Sequence, residues 1–81
     1  MTDDAIRAAI AETAMEIFEL ERDEVAQDAS FESDLGVDSL QKLEFITQLE
    51  RRFGMRYTAA EGSRMDSLSD AFNLTEQHLA K

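Results

Sequence analysis

The sequence predicts an all-α fold: a small four-helix bundle with three longer helices, one short helix and a long first loop. Apolar residues recur at three- and four-residue steps in three segments, which is the spacing of an amphipathic helix. No segment shows the sustained alternation of a strand. The 81 residues are expected to form one domain, residues 1–81. A chain this short buries about 60% of its unfolded surface, so we expect a stability on the order of 5 kcal/mol.

The opening stretch is predicted to be the first helix. Thr2 or Asp3 can act as its N-cap, and acidic residues in its first turn suit the positive end of the helix macrodipole. Its apolar face consists of Ile6, Ile10, Thr13, Ala14, Ile17 and Phe18.

Residues 21–38 lose the helical period and are predicted to form the long first loop. Loops of this length inside a compact domain are usually functional or disordered. Isolated apolar residues lie among its charges, namely Val25, Ala29, Phe31 and Leu35. Four spaced anchors favour a loop pinned across the bundle, and Gly36 allows a turn near its end.

The second helix has consistent signals at both ends. Asp38 is a good N-cap, and Gln41 three residues later completes a capping-box pattern. Gly54 suits the position after the last turn, where Arg51 and Arg52 complement the helix dipole. The helically spaced apolar residues are Leu40, Leu43, Ile46, Leu49 and Phe53. We expect all of these but Leu40 to line the core, together with Phe18, Phe31, Phe45 and Phe72.

The last two helices are predicted from their capping patterns. Thr58 and Glu61 form a capping-box pattern for a short third helix, which Gly62 is expected to stop after about one turn. Ser67 and Asp70 form a similar pattern for the last helix. One face of that helix carries Leu68, Ala71, Phe72, Thr75 and Leu79.

Composition argues against several classes of function. The net charge is −10, with eleven acids and two bases in residues 1–37, and this disfavours nucleic acid as a partner. There is no cysteine for a disulfide or a thiolate zinc site, and His78 alone cannot build a metal cluster. The acidic first residues and the lack of a long apolar run argue against a signal peptide and a membrane span, so we expect a cytoplasmic protein. The acidic surface serves either solubility or the steering of basic partners.

Catalysis by the chain itself is not expected. A nucleophilic serine needs a base within hydrogen-bond reach, and the one imidazole, His78, lies at the far end of the last helix. Residues 34–38 lack the alternating acidic ligands and the closing glutamate of a calcium-binding EF-hand loop. The sequence therefore predicts neither an active site nor a metal site.

Ser39 is the candidate functional residue. It falls on the first turn of the second helix, directly after the loop, where free amides and the macrodipole favour a phosphate group. The charge of Asp38 partly opposes such a group. Judged on capping alone, Ser39 is an ordinary residue at a helix start, and both interpretations stand at this point.

Residues 36–40, Gly-Val-Asp-Ser-Leu, resemble the attachment motif of acyl carrier proteins, in which the serine receives 4′-phosphopantetheine from coenzyme A. Residues 24–25, 29–31 and 34–36 resemble the first loop of that family. Residues 43–44, 49–50 and 53 match its second helix, and residues 66–71 resemble the entry to its last helix. The resemblance spans nearly the whole chain with similar spacing.

The resemblance implies a carrier rather than an enzyme. Ser39 would bear the arm, whose thiol holds acyl groups and accounts for a carrier without cysteine. Asp38 would assist docking of the transferase, Leu40 would lie beside the arm, and Glu44 and Thr47 would face partner enzymes. The implied partners are a phosphopantetheinyl transferase, an acyltransferase or acyl ligase, a ketosynthase and related enzymes. The implied carrier is a monomer, and its core is a candidate shelter for the acyl chain.

The second helix departs from the commonest family pattern, which is strongly acidic there. Residues 38–53 hold three acids against three bases, the bases being Lys42, Arg51 and Arg52. Capping of the dipole is one explanation for the two arginines. The other is a set of partners that differs from those of housekeeping fatty-acid synthesis. Residues 55–58 also depart from an aliphatic–proline pair that relatives often carry, which leaves the position of the third helix open.

Three functions remain open on the sequence. The first is a free-standing carrier of a polyketide or other specialised pathway, such as antibiotic biosynthesis. The second is a carrier of primary fatty-acid synthesis or a peptidyl carrier, although Val37 and Asp38 resemble the acyl type more than the peptidyl type. The third is an acidic helical adaptor that is never modified.

Overall fold

The computed structural model describes residues 2–80, and four α-helices lie within that range. They are α1 (Asp3–Phe18), α2 (Ser39–Phe53), α3 (Ala59–Arg64) and α4 (Leu68–Leu79), and one turn of 3-10 helix (Arg22–Glu24) lies in the first loop. Helix α1 packs against both α2 and α4. The predicted all-α bundle of three longer helices and a short one is confirmed. No helix in the described part of the chain is long and apolar enough to cross a membrane.

Local sequence sets where α1 and α2 begin and end. Thr2 caps α1, because its hydroxyl oxygen accepts a hydrogen bond from the backbone N–H of Ala5 at 3.1 Å. Asp38 caps α2 in a complete capping box, accepting from the Gln41 N–H at 2.8 Å while the Gln41 side chain accepts from the Asp38 N–H at 3.1 Å. Gly54 ends α2 in the left-handed conformation with φ +64°. These predicted boundaries are confirmed.

Helix α3 begins as predicted but does not stop at Gly62. Thr58 and Glu61 form the complete capping box, and the helix then runs through Gly62 to Arg64. The expectation that Gly62 ends the helix is wrong, because Gly62 does not adopt the left-handed conformation of a glycine that ends a helix, as Gly54 does. A Cβ at Gly62 would lie 3.4 Å from the Cδ1 atom of Ile46 on α2, so this face of α3 is in van der Waals contact range of α2.

The cap of α4 is simpler than the predicted box. The Ser67 hydroxyl accepts from the Asp70 N–H at 3.1 Å, which is half of the pattern. The Asp70 carboxylate accepts instead from the N–H of Asp66 at 2.9 Å. The hydrogen bonds at the start of α4 therefore reach back to Asp66, one residue further than in a capping box. They tie the preceding loop to α4.

Three phenylalanines from different segments form the centre of the core. Phe18 comes from α1, Phe31 from the first loop and Phe45 from α2, and their ring centroids lie 5.1–5.5 Å apart. All three are buried, as is Phe72 on α4, so the predicted aromatic core is confirmed. Tilted and edge-to-face pairs at these distances add to the stabilisation from burial alone.

Leu43, which was predicted for the core, and Leu79, which was assigned to the apolar face of the last helix, are exposed. Leu43 is 59% exposed and Leu79 is 41% exposed. The fully buried residues of α2 are Phe45 and Leu49, four residues apart, and Leu43 lies about 200° around the helix from Phe45. Leu79 is the last residue of α4.

The first loop is pinned to the connection between α3 and α4, as its anchors predicted. The Phe31 N–H donates to the Asp66 carbonyl at 2.7 Å, and the Ser30 hydroxyl donates to the Asp66 carboxylate at 2.6 Å. The bond from Ser30 is the main reason that the pKa of Asp66 is lowered. Val37, which the sequence did not single out as an anchor, is buried and donates its N–H to the Phe31 carbonyl at 2.7 Å.

A polar cluster fastens α3 to α4. The Nε2 atom of His78 lies 2.9 Å from Oε1 of Glu61, and both side chains are mostly buried. Bonds from the Thr58 N–H and then from His78 lower the pKa of Glu61 to about 2. Beside this pair, the Tyr57 hydroxyl is hydrogen-bonded to Thr75 in the core.

Leucine-to-alanine substitutions at two positions of α2 test the orientation of the helix. Leu49→Ala should lower the free energy of unfolding by about 2–5 kcal/mol, because it opens a cavity at a fully buried site. Leu43→Ala removes the same atoms from an exposed site and should change it by no more than about 0.5 kcal/mol. Urea unfolding of the two variants measures both values. Equal losses would contradict the orientation of α2.

The lowered pKa of Glu61 predicts how the stability of the folded protein depends on pH. Its pKa is lowered from 4.5 to about 2 in the folded protein, so the stability it contributes is present above pH 4.5 and is lost as the pH falls towards 2. We expect the urea midpoints of wild type and Glu61→Gln to differ at pH 5 and to converge as the pH falls from 4.5 to 2. A difference that persists unchanged down to pH 2 would rule out the carboxylate as its source.

Candidate functional site

Ser39 lies at the first residue of α2 with its side chain exposed. The backbone before it is fixed, because Val37 is buried and Asp38 is held in the capping box. Gly36 turns the chain in the left-handed region with φ +65°, a conformation that other residues rarely adopt. The hydroxyl is thus presented at a fixed point on the surface, at the start of a helix.

Two hollows flank Ser39. The larger, about 530 Å³, is a groove between α2 and α3, and the smaller, about 290 Å³, lies between α2 and the pinned loop. Ser39 and Lys42 border both of them. The groove is also lined by Leu43, Ile46, Thr47, Glu50, Tyr57, Thr58, Ala59, Gly62 and Ser63. The arrangement places an exposed hydroxyl at the mouth of a groove with aliphatic walls.

The geometry around Ser39 contains no nucleophile–base pair among residues 2–80. The imidazole of His78 is bonded to Glu61 on α3, and no described hydrogen bond joins it to Ser39. No cluster of three potential metal ligands occurs in the described residues either. Modification of Ser39 would therefore need an activating base supplied from outside residues 2–80.

The predicted partner residues lie around the start of α2. Asp38 is exposed, although its carboxylate also caps the helix, and Leu40 is 64% exposed. Glu44 is exposed, and Thr47 is half-buried with its hydroxyl donating to the Leu43 carbonyl at 2.9 Å. We call the surface formed by Leu40, Leu43, Glu44, Thr47 and Arg51 the outer face of α2. Leu43 joins it in place of its predicted position in the core.

The two arginines of α2 have different surroundings. Arg52 reaches α1, donating to the Ala9 carbonyl at 3.2 Å, to the Thr13 hydroxyl at 3.0 Å and to the Glu12 carboxylate at 2.9 Å. Arg51 is exposed and forms no described hydrogen bond or ion pair within residues 2–80. The sequence did not separate the two, because both suit the end of a helix dipole equally well.

These residues fit the phosphopantetheine arm that the resemblance implies. The hydroxyl that would bear the arm is exposed, and a groove with room for an extended chain begins beside it. A cation, Lys42, borders both hollows next to the hydroxyl. Lys42 was not among the predicted site residues, although its place three residues after Ser39 on a helix predicts that the two are neighbours.

Comparison with known proteins supports the same assignment. Residues 8–61 match the model of a family described as the phosphopantetheine attachment site. The chain is 30% identical over 78 residues to an acyl carrier protein of Lactobacillus acidophilus, covering 96% of this chain and 98% of the relative. It is 36% identical over 70 residues to a Streptomyces avermitilis protein named polyketide-8 synthase acyl carrier protein 2, covering 86% of this chain and 80% of the relative.

Solved structures share the fold. A Mycobacterium tuberculosis structure named as an acyl carrier protein superposes with a TM-score of 0.82 at 24% identity, covering 89% of this chain and 96% of the other. The acyl carrier protein of Enterococcus faecalis gives a TM-score of 0.80 at 23% identity, covering 96% and 99%. The match of more than half the chain to the family model, together with the full-length relatives, decides the question of family. The chain belongs to the acyl carrier protein family, whose cofactor is phosphopantetheine.

Proposed function

We propose that this chain carries acyl intermediates as thioesters on a 4′-phosphopantetheine arm attached to Ser39 and presents them to partner enzymes. The observation that carries the proposal is the position of Ser39. Its hydroxyl is exposed at the fixed start of α2, at the mouth of the groove, and within the residues that match the family model. The arm supplies the thiol on which the acyl group is held.

The residues of the chain present and position the arm. Ser39 Oγ is the atom to which the phosphate is joined, and the base that removes its proton belongs to the modifying transferase. Asp38 holds the helix start in place and offers an exposed carboxylate to that transferase. The groove between α2 and α3 gives an acyl chain aliphatic walls at Leu43 and Ile46. In this proposal the chain acts as a non-catalytic monomer; a cytoplasmic location remains a prediction.

A polyketide or other specialised pathway is the proposed setting. One support is the 36% identity to a relative named for a polyketide synthase. The other is the balance of charge in residues 38–53, with three acids and three bases, where strongly basic partner surfaces would find little attraction. The Lactobacillus relatives, at 30% and 28% identity, keep primary fatty-acid synthesis as the second candidate. If Ser39 accepts no phosphopantetheine, the remaining candidate function is that of an adaptor that is never modified.

The outer face of α2 is the proposed contact surface for partner enzymes. Leu40 and Leu43 give it two exposed aliphatic side chains near Ser39, which suit an apolar contact around the arm. Arg51, about three turns along the helix from Ser39, adds a positive charge that forms no ion pair within residues 2–80. We therefore place choice of partner on Arg51 and expect a carboxylate opposite it, whereas Arg52 is committed to α1.

The assignment of the arm to Ser39 is tested by intact mass. Incubation with coenzyme A and a broad-specificity phosphopantetheinyl transferase should add the mass of one phosphopantetheine group to the wild type and none to Ser39→Ala. Ser63→Ala alters a serine at the same groove and should gain the full mass. No gain in the wild type, or an equal gain in Ser39→Ala, would overturn the carrier assignment.

The different roles of the two arginines are tested by neutralising each in turn. Arg52→Gln should lower the free energy of unfolding by about 1 kcal/mol, because the bonds to α1 are lost, and leave acyl loading unchanged. Arg51→Gln should leave stability within about 0.5 kcal/mol and raise the KM for a partner enzyme about 3- to 10-fold.

A panel of acyl ligases, acyltransferases and ketosynthases from polyketide and fatty-acid systems provides the measurement. The wild type should be processed better by the polyketide enzymes, and the effect of Arg51→Gln should decrease with added salt. If Arg51→Gln leaves the KM unchanged with every enzyme that accepts the wild type, Arg51 has no part in partner choice.

A further inference from the structure

Lys42 is the cation nearest in sequence to Ser39 on the same helix. Residues three apart on a helix are surface neighbours with Cβ atoms about 5–6 Å apart. Lys42 is half-buried, and it is the one cationic side chain among the residues that line the two hollows flanking Ser39. Its position is therefore tied to Ser39 by both the helix and the hollows.

The surroundings of Ser39 are otherwise acidic. Glu32, Asp38 and Asp66 line the smaller hollow together with Ser39. Lys42 contributes to the lowered pKa of Asp66, after the larger effect of the Ser30 hydroxyl, so its charge reaches this edge of the site. A phosphodiester joined to Ser39 would add a further negative charge to the same edge, and Lys42 is the group present to offset it.

The ammonium group of Lys42 is available for such a partner. Its described hydrogen bond is to the Ser63 carbonyl at 3.5 Å, the outer limit for such a bond. Ser63 lies on α3, across the groove from Lys42, so this bond places the ammonium at the α2–α3 groove, while the side chain also borders the smaller hollow. A charged phosphate oxygen would be a stronger acceptor than this distant carbonyl.

We infer that Lys42 binds the phosphodiester of the arm on Ser39 and so directs the base of the arm into the groove between α2 and α3. This inference rests on the proposed attachment at Ser39. Lys42 acts as a positioning residue: it forms no covalent bond, and its ammonium exchanges the weak bond to Ser63 for the phosphate. The groove, rather than open solvent, is then where the arm begins its path.

A thermal cycle tests the inference. The apo and phosphopantetheine-bearing forms of wild type, Lys42→Met and Arg51→Met are prepared, and intact mass establishes that each modified form carries the arm. The change in Tm on modification should be about 2–5 °C more favourable in the wild type than in Lys42→Met. Arg51→Met removes an exposed charge from the same helix, roughly 18 Å along the axis from Ser39, and should match the wild type.

A simple tie between α2 and α3 would give a different result. If Lys42 acted only through Ser63, Lys42→Met would lower the Tm of the apo and modified forms equally. Lys42→Arg should retain the favourable change, because it keeps the charge, and the advantage of wild type over Lys42→Met should shrink as salt is raised. Equal changes on modification in the wild type and in Lys42→Met would overturn the inference while leaving Ser39 as the attachment site.

A second measurement needs no modified variant. The chain has two lysines, so the Nζ signal of Lys42 in a lysine-labelled sample is identified by its loss in apo Lys42→Met. Both that signal and the phosphorus signal of the arm should be sensitive to the contact. The chemical shift of the Lys42 Nζ should therefore change when the wild type receives the arm. An unchanged signal in fully modified protein would overturn the inference. Failure of the wild type to gain the arm would overturn the proposed function, and with it this inference.

Discussion

The attachment of the first loop at Phe31 is the constraint on which the rest of the structure depends. The Phe31 ring completes the cluster with Phe18 and Phe45, while its backbone N–H and carbonyl bond to Asp66 and Val37. One residue thereby joins α1, α2 and the connection before α4. Because the loop is fixed there, its last residues reach α2 along a set path, and the start of that helix has a defined position on the surface.

From that start, α2 serves two purposes on opposite sides. Phe45 and Leu49 are fully buried against the bundle, and Arg52 extends the attachment to α1 through three bonds. The other side leaves Leu40 and Leu43 exposed beside Ser39. In a domain with a small core, a helix that must be both well anchored and widely accessible divides these tasks by face.

The sequence predicted what depends on local chemistry. The caps at Asp38 and Thr58, the left-handed Gly54 and the four core phenylalanines are all as expected, because each follows from a few neighbouring residues or from strong burial preference. The predictions from sequence failed where packing between helices determines the structure. Leucine spacing placed Leu43 inside, yet Phe45 and Leu49 are the residues that α2 buries, and Gly62 stays within α3 instead of taking the left-handed conformation that would end it. The motif and the resemblance predicted Ser39 as the attachment residue, but the unequal surroundings of Arg51 and Arg52 could be seen only in the three-dimensional structure.

The bonds from Arg52 to α1 have a consequence for how such a carrier can diversify. Arg51 and Arg52 are consecutive in sequence. A substitution at Arg52 changes the attachment of α2 to α1, whereas a substitution at Arg51 changes only the surface. Substitutions on the outer face of α2 can accumulate without disturbing the attachment of the helix to α1. With the outer face of α2 as the proposed contact surface, exchange of one biosynthetic assembly for another would need changes only in a narrow stripe of side chains, and a graft of this carrier into a foreign pathway would be adjusted within the same stripe.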